Sequence, residues 1–246
     1  MTTLGETKTY TTEGEYCENG VLTAPALLRM FQETVLENAD ERGAGNDYMI
    51  GNGLGWALVK NDVRIARWPE MGETVTVRTG PVGKKWLFVF RQFEVADAQG
   101  ETLVQCDSCW MVIDLKARKP VPMPQHIITT YNFDIMQNRV LKFDTPRNLK
   151  DAQNELRIRV RPHHIDDYGH VNNTVYVRWA LEGLPEGTAD SKTITRFACT
   201  FKREALPGMS LTAKTAMDET DDGLTTRHEQ TDEEGNVLFQ MKAEWV

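Results

Sequence analysis

Residues 94–105 read EVADAQGETLVQ, and residues 229–240 read EQTDEEGNVLFQ. The two stretches share Glu, Asp, Gly, Leu and Gln at one constant offset, which Trp110 and Trp245 continue. Each stretch is typical of a strand, an Asp-x-x-Gly turn and a second strand, because the glycine supplies the positive φ that such a turn needs. The sequence therefore predicts two copies of one structural unit in tandem.

A helix precedes the first copy. Apolar side chains recur there at helical spacing, at Leu27, Phe31, Val35 and Ala39. Thr23 is suited to cap the helix, Pro25 fits its first turn, and Gly43 is suited to end it.

A second helix is predicted to start at Asn172 or Asn173, either of which can cap it, and to end at Gly183. Strand-like runs follow both helices. They cover residues 56–66, 73–79, 85–96 and 101–114 in the first half and residues 193–203, 209–217, 224–231 and 236–246 in the second. A helix followed by antiparallel strands that can curl around it is an α+β plan.

The predicted organisation has three segments. Residues 1–116 form the first unit, residues 117–152 form a connector, and residues 153–246 form the second unit. The connector contains several prolines and shows little periodicity. We therefore expect it to cross the surface with at most short ordered pieces.

Composition excludes several classes of protein. A net charge of −8 over 246 residues disfavours general nucleic-acid binding, which requires cationic groups against phosphates. No apolar run approaches the length that spans a bilayer, so membrane insertion is not expected. The first seven residues lack a basic flank followed by an apolar stretch, so we expect no signal peptide and a cytosolic location.

The cysteines do not form a recognisable framework. Cys17, Cys106, Cys109 and Cys199 are too few and too scattered for a set of disulfides. Cys106 and Cys109 lie in a strand-like run where their spacing sends the side chains to opposite faces, and no second pair matches them. We expect neither a metal nor another cofactor.

The turn before the second helix concentrates polar side chains, since residues 166–174 read DDYGHVNNT. A helix N-terminus offers unpaired N–H groups to an oxygen that gains negative charge. Asp166 and His170 stand beside those groups and can move protons or orient a water. The alternatives are a histidine that only completes the turn, or a metal site that also uses His163 and His164.

The same turn carries a family resemblance. The block His170-Val171-Asn172-Asn173-x-x-Tyr176-x-x-Trp179, with Asp166 before it, resembles the signature of the acyl-acyl carrier protein (acyl-ACP) thioesterases of plants and bacteria. Similar features run through the first half: Gly55-Trp56, Arg64-Ile65, Arg67-x-Pro69, Arg91-x-Phe93 and Trp110-x-Val112-x-Asp114. The resemblance implies two tandem hotdog units, each a long helix wrapped by a curved antiparallel sheet.

The resemblance also implies a set of site residues. Asp166, His170 and Glu204 match the catalytic Asp, His and Glu of the family. Tyr168 replaces a family Asn, so the role of position 168 is open, and Ala205 replaces a cysteine found in plant members. Tyr168, Asn172 and Asn173 are candidates for positioning the substrate or binding the oxyanion, although the two asparagines are also good helix caps.

The implied activity is hydrolysis of a fatty acyl-ACP thioester by an activated water, with Glu204 or His170 as the base. The acyl chain is expected in the first unit, among residues such as Ala57 that would face its helix. An acidic carrier protein needs a local basic patch, for which Arg157, Arg159, Arg161 and Arg178 are candidates, unless they are only solvated charges.

Three alternatives and the oligomeric state stay open. The alternatives are a hotdog acyl-CoA thioesterase, a hotdog hydratase or dehydratase, and a non-catalytic acyl sensor. The Asn-Asn block and the lack of a dehydratase motif disfavour the hydratase, and the lack of a basic DNA-binding element disfavours a sensor of gene expression. The resemblance leaves a homodimer open.

Overall fold

The computed structural model describes residues 4–220 and 223–246. They form two compact units: residues up to 61 with residues 66–143, and residues 62–65 with residues 144–246. No helix in this part of the chain is both long enough and apolar enough to cross a bilayer.

The first unit is an antiparallel sheet with one principal helix. Its elements are β1 (Glu6–Thr11), β2 (Cys17–Glu18), β3 (Val21–Leu22), α1 (Ala24–Glu41), α2 (Asn46–Gly51), β4 (Leu54–Ile65), β5 (Thr74–Lys85), β6 (Phe88–Ala96), β7 (Thr102–Asp114), β8 (Lys119–Val121) and α3 (Gln125–Thr130). The strand order is β1-β5-β6-β7-β4, with β8 against β7. The last four residues of β4 group with the second unit.

Helix α1 has the ends that the sequence predicts. The Thr23 hydroxyl accepts a hydrogen bond from the Ala26 amide, Pro25 lies in the first turn, and Gly43 has a φ of 66° just beyond the last turn. The buried face of α1 includes Phe31, whose ring stacks on Phe93 of β6 with 4.5 Å between centroids. The sheet and α1 therefore share one apolar core.

The second unit repeats the plan with a shorter helix. Its elements are β9 (Asn154–Arg159), α4 (Asn173–Glu182), α5 (Thr188–Ser191), β10 (Ile194–Phe201), β11 (Ser210–Thr220), β12 (Gly223–Thr231) and β13 (Val237–Trp245). The strand order is β10-β13-β12-β11-β9. Asn172 caps α4, whose buried face packs against β11, β12 and β13. The predicted α+β class is confirmed.

The hairpins that carry the sequence repeat have the same turn. The Gly100 amide donates to the Asp97 carbonyl at 3.0 Å, and the Gly235 amide donates to the Asp232 carbonyl at 3.1 Å. The two glycines have φ values of 85° and 80°. The repeated sequence therefore folds into the same turn twice.

The strand register repeats as well. Glu94 lies opposite Gln105 in one hairpin, and Glu229 lies opposite Gln240 in the other. A register shift follows one residue later in both, between Val95 and Ala96 and at the corresponding place in β12. The turn and the register shift recur together, so the two units repeat one structural plan.

The prediction that a strand ends at residue 79 is wrong. Strand β5 continues through Gly80 and Pro81 to Lys85, because a register shift between Pro81 and Gly83 accommodates the proline within the pairing with β6. Residue 83 has to be glycine, since a Cβ there would lie 2.3 Å from the carbonyl oxygen of Arg139.

Residues 125–133 do not cross the surface as the connector was expected to do. Ile127, Tyr131 and Phe133 are buried in an apolar cluster of the first unit together with Val89 of β6 and Val112 of β7. Helix α3 is too short to show a helical periodicity in the sequence, which explains why periodicity alone misses it. Its stability comes from the burial of apolar side chains in the helix and just after it.

The expectation that Ala57 faces the helix of the first unit is also wrong. Trp56 of β4 packs against the cluster around Ile127, which includes Val89. Val89 lies on the same face of β6 as Phe93, whose ring stacks on Phe31 of α1, whereas Val59 packs against Phe90 and Cys109 in a second cluster. Side chains alternate along a strand, so Ala57 lies on the face of Val59.

Candidate active site

The turn between β9 and α4 is closed by backbone hydrogen bonds. The Asp166 amide donates to the His170 carbonyl at 2.9 Å, and Ile165 and Val171 form an isolated antiparallel bridge. Gly169, with a φ of 79°, donates its amide to the Asp166 carbonyl at 3.0 Å. This geometry brings the side chains of Asp166 and His170 to the same side of the turn.

Asp166 is paired with His170. Its Oδ2 lies 3.2 Å from His170 Nδ1, and its Oδ1 accepts the Tyr168 amide at 3.0 Å. Burial raises the pKa of Asp166, against the opposing effects of His170 and of the backbone donors of Tyr168 and His170. His170 Nδ1 also lies 3.3 Å from the Val171 carbonyl oxygen. Both acceptors lie on the Nδ1 side of the ring, so a neutral imidazole with its proton on Nδ1 can donate to them and can accept a proton on Nε2.

Glu204 lies on the other side of the histidine ring. It follows β10 by three residues, and its Oε1 is 4.0 Å from His170 Nε2. The next residue, Ala205, is buried and accepts the Val171 amide at 2.9 Å. The structure therefore brings together Asp166, His170 and Glu204, with the imidazole between two carboxyl groups.

The two asparagines have different surroundings. Asn172 Oδ1 accepts the Thr174 amide at 2.9 Å and the Thr174 hydroxyl at 2.8 Å, so its side chain serves as the helix cap. The Asn173 amide belongs to the first helical residue, and no acceptor for it is found among the residues that the structure describes. Of the two, Asn173 is the one that leaves a donor for an oxyanion.

Tyr168 stands where the family resemblance places an asparagine. Its backbone amide contacts the Asp166 carboxyl group, and its ring lies nearly parallel to that of His170, at 6.1 Å between centroids and 13° between planes. The ring is thus a neighbour of the imidazole, while the contact with Asp166 needs only the backbone.

The two preceding histidines do not join this group. His164 Nδ1 accepts the Arg161 amide at 3.0 Å, and its ring meets Trp179 edge-on at 5.0 Å. Burial, followed by the positive charges of His163, Arg161 and Arg178, lowers the pKa of His164. Within the described part of the chain, no three His, Cys, Asp or Glu side chains cluster as metal ligands would.

Sequence reasoning missed one contact of this site. The Tyr176 hydroxyl, one turn into α4, accepts the amide of Ala205 at 2.7 Å. Tyr176 is part of the motif that carries the resemblance, but the sequence does not indicate which distant backbone group its hydroxyl reaches.

Family comparisons cover most of the chain. The model of the acyl-ACP thioesterase N-terminal domain matches residues 7–131, and that of the C-terminal domain matches residues 147–246. The chloroplast acyl-(acyl-carrier-protein) hydrolase FATB1 of Cuphea viscosissima is 24% identical over 249 aligned residues, covering 89% of this chain and 56% of that protein. The chain thus spans little more than half the length of this curated relative.

Solved structures show the same fold. The 12:0-ACP thioesterase of Umbellularia californica superposes with a TM-score of 0.88 at 23% identity, covering 98% of this chain and 93% of that one. An acyl-ACP thioesterase of Bacteroides thetaiotaomicron gives a TM-score of 0.83 at 23% identity, with coverages of 98% and 97%. The predicted tandem hotdog fold is confirmed.

Proposed function

The chain belongs to the acyl-ACP thioesterase family, and we propose that it hydrolyses the thioester joining a fatty acyl chain to acyl carrier protein. The observation that carries the proposal is the imidazole of His170 held between Asp166 and Glu204, at 3.2 Å and 4.0 Å. An imidazole between two carboxyl groups can take a proton from a water while the resulting positive charge is stabilised, which suits hydrolysis of an acyl group by water.

The attacking water lies between His170 Nε2 and Glu204 Oε1. Both atoms accept hydrogen bonds, so the water donates its two protons to them and directs a lone pair at the thioester carbon. His170 takes one proton as the C–O bond forms, and Asp166 stabilises the resulting imidazolium through Nδ1–H. The carbonyl oxygen becomes an oxyanion, to which the Asn173 amide at the start of α4 donates.

Collapse of the tetrahedral intermediate completes the reaction. The carbonyl re-forms, the C–S bond breaks, and the departing thiolate takes the proton from His170. The products are a free fatty acid and the thiol of the carrier's pantetheine arm, and the imidazole is again neutral. No cysteinyl intermediate is needed, since Ala205 stands where plant members have cysteine.

The first unit is the proposed site of the acyl chain. Its cluster around Ile127 combines buried aliphatic residues with the half-buried Trp56 and Trp110. A wall of large apolar side chains suits a hydrocarbon tail, because burial of methylene groups contributes about 0.8 kcal/mol each. In the proposed division of labour, residues 1–116 bind the chain, residues 117–152 connect the units and residues 153–246 carry the chemistry. Because Ile127, Tyr131 and Phe133 belong to the cluster, the connector contributes to the proposed acyl site as well.

Four arginines of the second unit are the proposed contact for the acidic carrier. Arg157 and Arg159 are exposed and alternate on the edge strand β9, and Arg161 and Arg178 are exposed near His164. None of the four has a carboxylate partner in the described ranges, 4–220 and 223–246. Unpaired surface cations beside the catalytic turn support electrostatic steering of a negatively charged partner.

Hydrolysis in ¹⁸O-labelled water tests the proposed reaction. The purified protein is mixed with a fatty acyl-ACP, and the released thiol and fatty acid are quantified. We expect equal amounts of both products and one labelled oxygen per fatty acid. An acylated protein without turnover, or no thiol release from any acyl-ACP, would contradict the proposal.

The cytosolic location that the sequence predicts also stays a proposal, which cell fractionation would test.

A further inference from the structure

Tyr176 is fixed in the core of the second unit at both its ring and its backbone. The ring packs against Trp179, Phe201 and Phe239, with centroids 5.7, 6.0 and 5.6 Å away. The Tyr176 carbonyl oxygen accepts a hydrogen bond from Gln230 Nε2 at 2.7 Å. Only 3% of the residue is exposed, so its hydroxyl has a defined direction.

That hydroxyl meets the backbone next to Glu204. The Ala205 amide donates to the Tyr176 hydroxyl at 2.7 Å, and the Ala205 carbonyl accepts the Val171 amide at 2.9 Å. Ala205 is fully buried and is thus held from both sides, by α4 and by the residue that follows His170. Glu204 is separated from these two contacts by a single peptide bond.

We propose that Tyr176 is a positioning residue that keeps the Glu204 carboxylate within reach of His170 by holding the Ala205 amide. The inference rests on the proposed function, because it assigns a residue that acts through Glu204. Without the hydroxyl, the Ala205 amide loses its partner on α4, while the Ala205 carbonyl keeps its hydrogen bond to Val171. The carboxyl group can then leave the position 4.0 Å from His170 Nε2 in which it helps to hold the water.

The chemical state of the phenol fits this role. Burial raises the pKa of Tyr176, and the negative charges of Glu204 and Asp166 raise it further, so the group stays neutral during turnover. A neutral phenol can accept the Ala205 N–H without placing another negative charge beside Glu204. Phenylalanine would fill the same volume and leave that buried N–H without its partner.

The test is a double-mutant cycle on the full chain with acyl-ACP as substrate. We expect Tyr176→Phe to lower kcat about tenfold with little change in KM, and to shift the pH profile of kcat. In a Glu204→Gln background the same substitution is expected to change kcat less than about twofold, because the group it positions is already disabled. Tyr10→Phe is the matched control, since Tyr10 also uses its hydroxyl, to contact the Met30 carbonyl at 3.0 Å in the first unit.

The outcomes separate the inference from the proposed function. Equal losses in both backgrounds, or a loss no larger than that of Tyr10→Phe, would overturn the role of Tyr176 while leaving hydrolysis intact. Absence of thiol release by the wild-type protein would overturn both. If Tyr176→Phe does not fold, amide exchange of wild-type Ala205 decides: strong protection is expected, and exchange at the rate of an exposed amide would contradict the inference.

Discussion

Asp166 Oδ2 lies 3.2 Å from His170 Nδ1 inside a turn that the backbone itself closes. The contact favours the tautomer with its proton on Nδ1, and Nε2 lies on the side of Glu204, 4.0 Å from its Oε1. The same carboxyl group is largely removed from water, and burial raises its pKa. The buried position of Asp166 therefore suits the proposed reaction, but ionisation of the carboxyl group there lowers the free energy of unfolding.

Asp166→Asn is expected to separate these two effects. The folded-state pKa of Asp166 is raised, so ionisation costs stability once the pH rises above the ordinary carboxyl range. At pH 7 the free energy of unfolding of the variant should be at least that of the wild type. Any advantage should shrink as the pH falls through the raised folded-state pKa of Asp166 and be lost below about pH 4, where the carboxyl group is protonated in both states. Its kcat should fall about 10²-fold, since an amide cannot support the imidazolium.

Urea unfolding at several pH values, with steady-state rates, measures both effects. Asp167→Asn is the control, because it removes one charge from an exposed position in the same turn. A variant that is less stable than the wild type at pH 7 would show that the burial cost of Asp166 is outweighed by its hydrogen bonds.

Tyr168→Phe is expected to lower kcat less than tenfold. The contact of this residue with Asp166 uses the backbone amide, and the ring beside His170 is retained in phenylalanine. A retained hydrogen bond to the transition state would exceed about 1.4 kcal/mol, which corresponds to a tenfold change. Steady-state rates of thiol release check this, and a loss as large as that of His170→Ala would place the hydroxyl in the catalytic set.

His228 should make the fold sensitive to acid. Burial lowers its pKa to about 3 from an ordinary value of 6.5, despite a hydrogen bond to the Ala180 carbonyl that acts in the opposite direction. Between pH 6.5 and 3 the unfolded chain binds a proton that the folded chain does not, so stability falls as the pH falls. The slope from this group approaches about 1.4 kcal/mol per pH unit.

Chemical denaturation of His228→Gln checks that contribution. The ring contacts the hydroxyls of Thr215 and Thr226 at 3.0 and 2.8 Å, so the variant is expected to be less stable at pH 7. Its loss of stability toward pH 3 should nevertheless be shallower than in the wild type. An unchanged slope would show that other groups account for the acid sensitivity; His126→Gln, at an exposed position, is the control.

Trp56→Leu should move substrate preference toward longer acyl chains. Trp56 packs against the cluster around Ile127, and truncation of a large side chain leaves space where the acyl tail is proposed to lie. Val59→Ala is the matched control, because Val59 lies on the opposite face of the same strand. The measurement is kcat/KM over a series of chain lengths; an equal change at every length would indicate damage instead of selection.

Local chemistry explains what the sequence could predict. The Asp97 and Asp232 turns need only a short Asp-x-x-Gly segment, and Thr23 and Asn172 cap helices through neighbouring amides. The sequence predicts strand β5 too short, because the continuation of the strand past Pro81 depends on pairing with β6, which no local pattern encodes.

The candidate site shows the same limit. Asp166 and His170 belong to one turn, so their proximity follows from their spacing. Glu204 lies near His170 because of the path that the chain takes after β10. Residue types alone give no reason to pair the two side chains, and only the family resemblance indicates Glu204 as a site residue. The hydrogen bond from Ala205 to Tyr176 is a tertiary contact of the same kind, and no local pattern predicts it.

The most direct test of the proposed chemistry is the rate of thiol release from a fatty acyl-ACP by three single variants. His170→Ala and Glu204→Gln should each lower kcat about 10²-fold or more while leaving the melting temperature close to that of the wild type. His163→Ala, at an exposed position seven residues before His170, should retain the wild-type rate. Wild-type turnover by either His170→Ala or Glu204→Gln would contradict a water held between these two side chains.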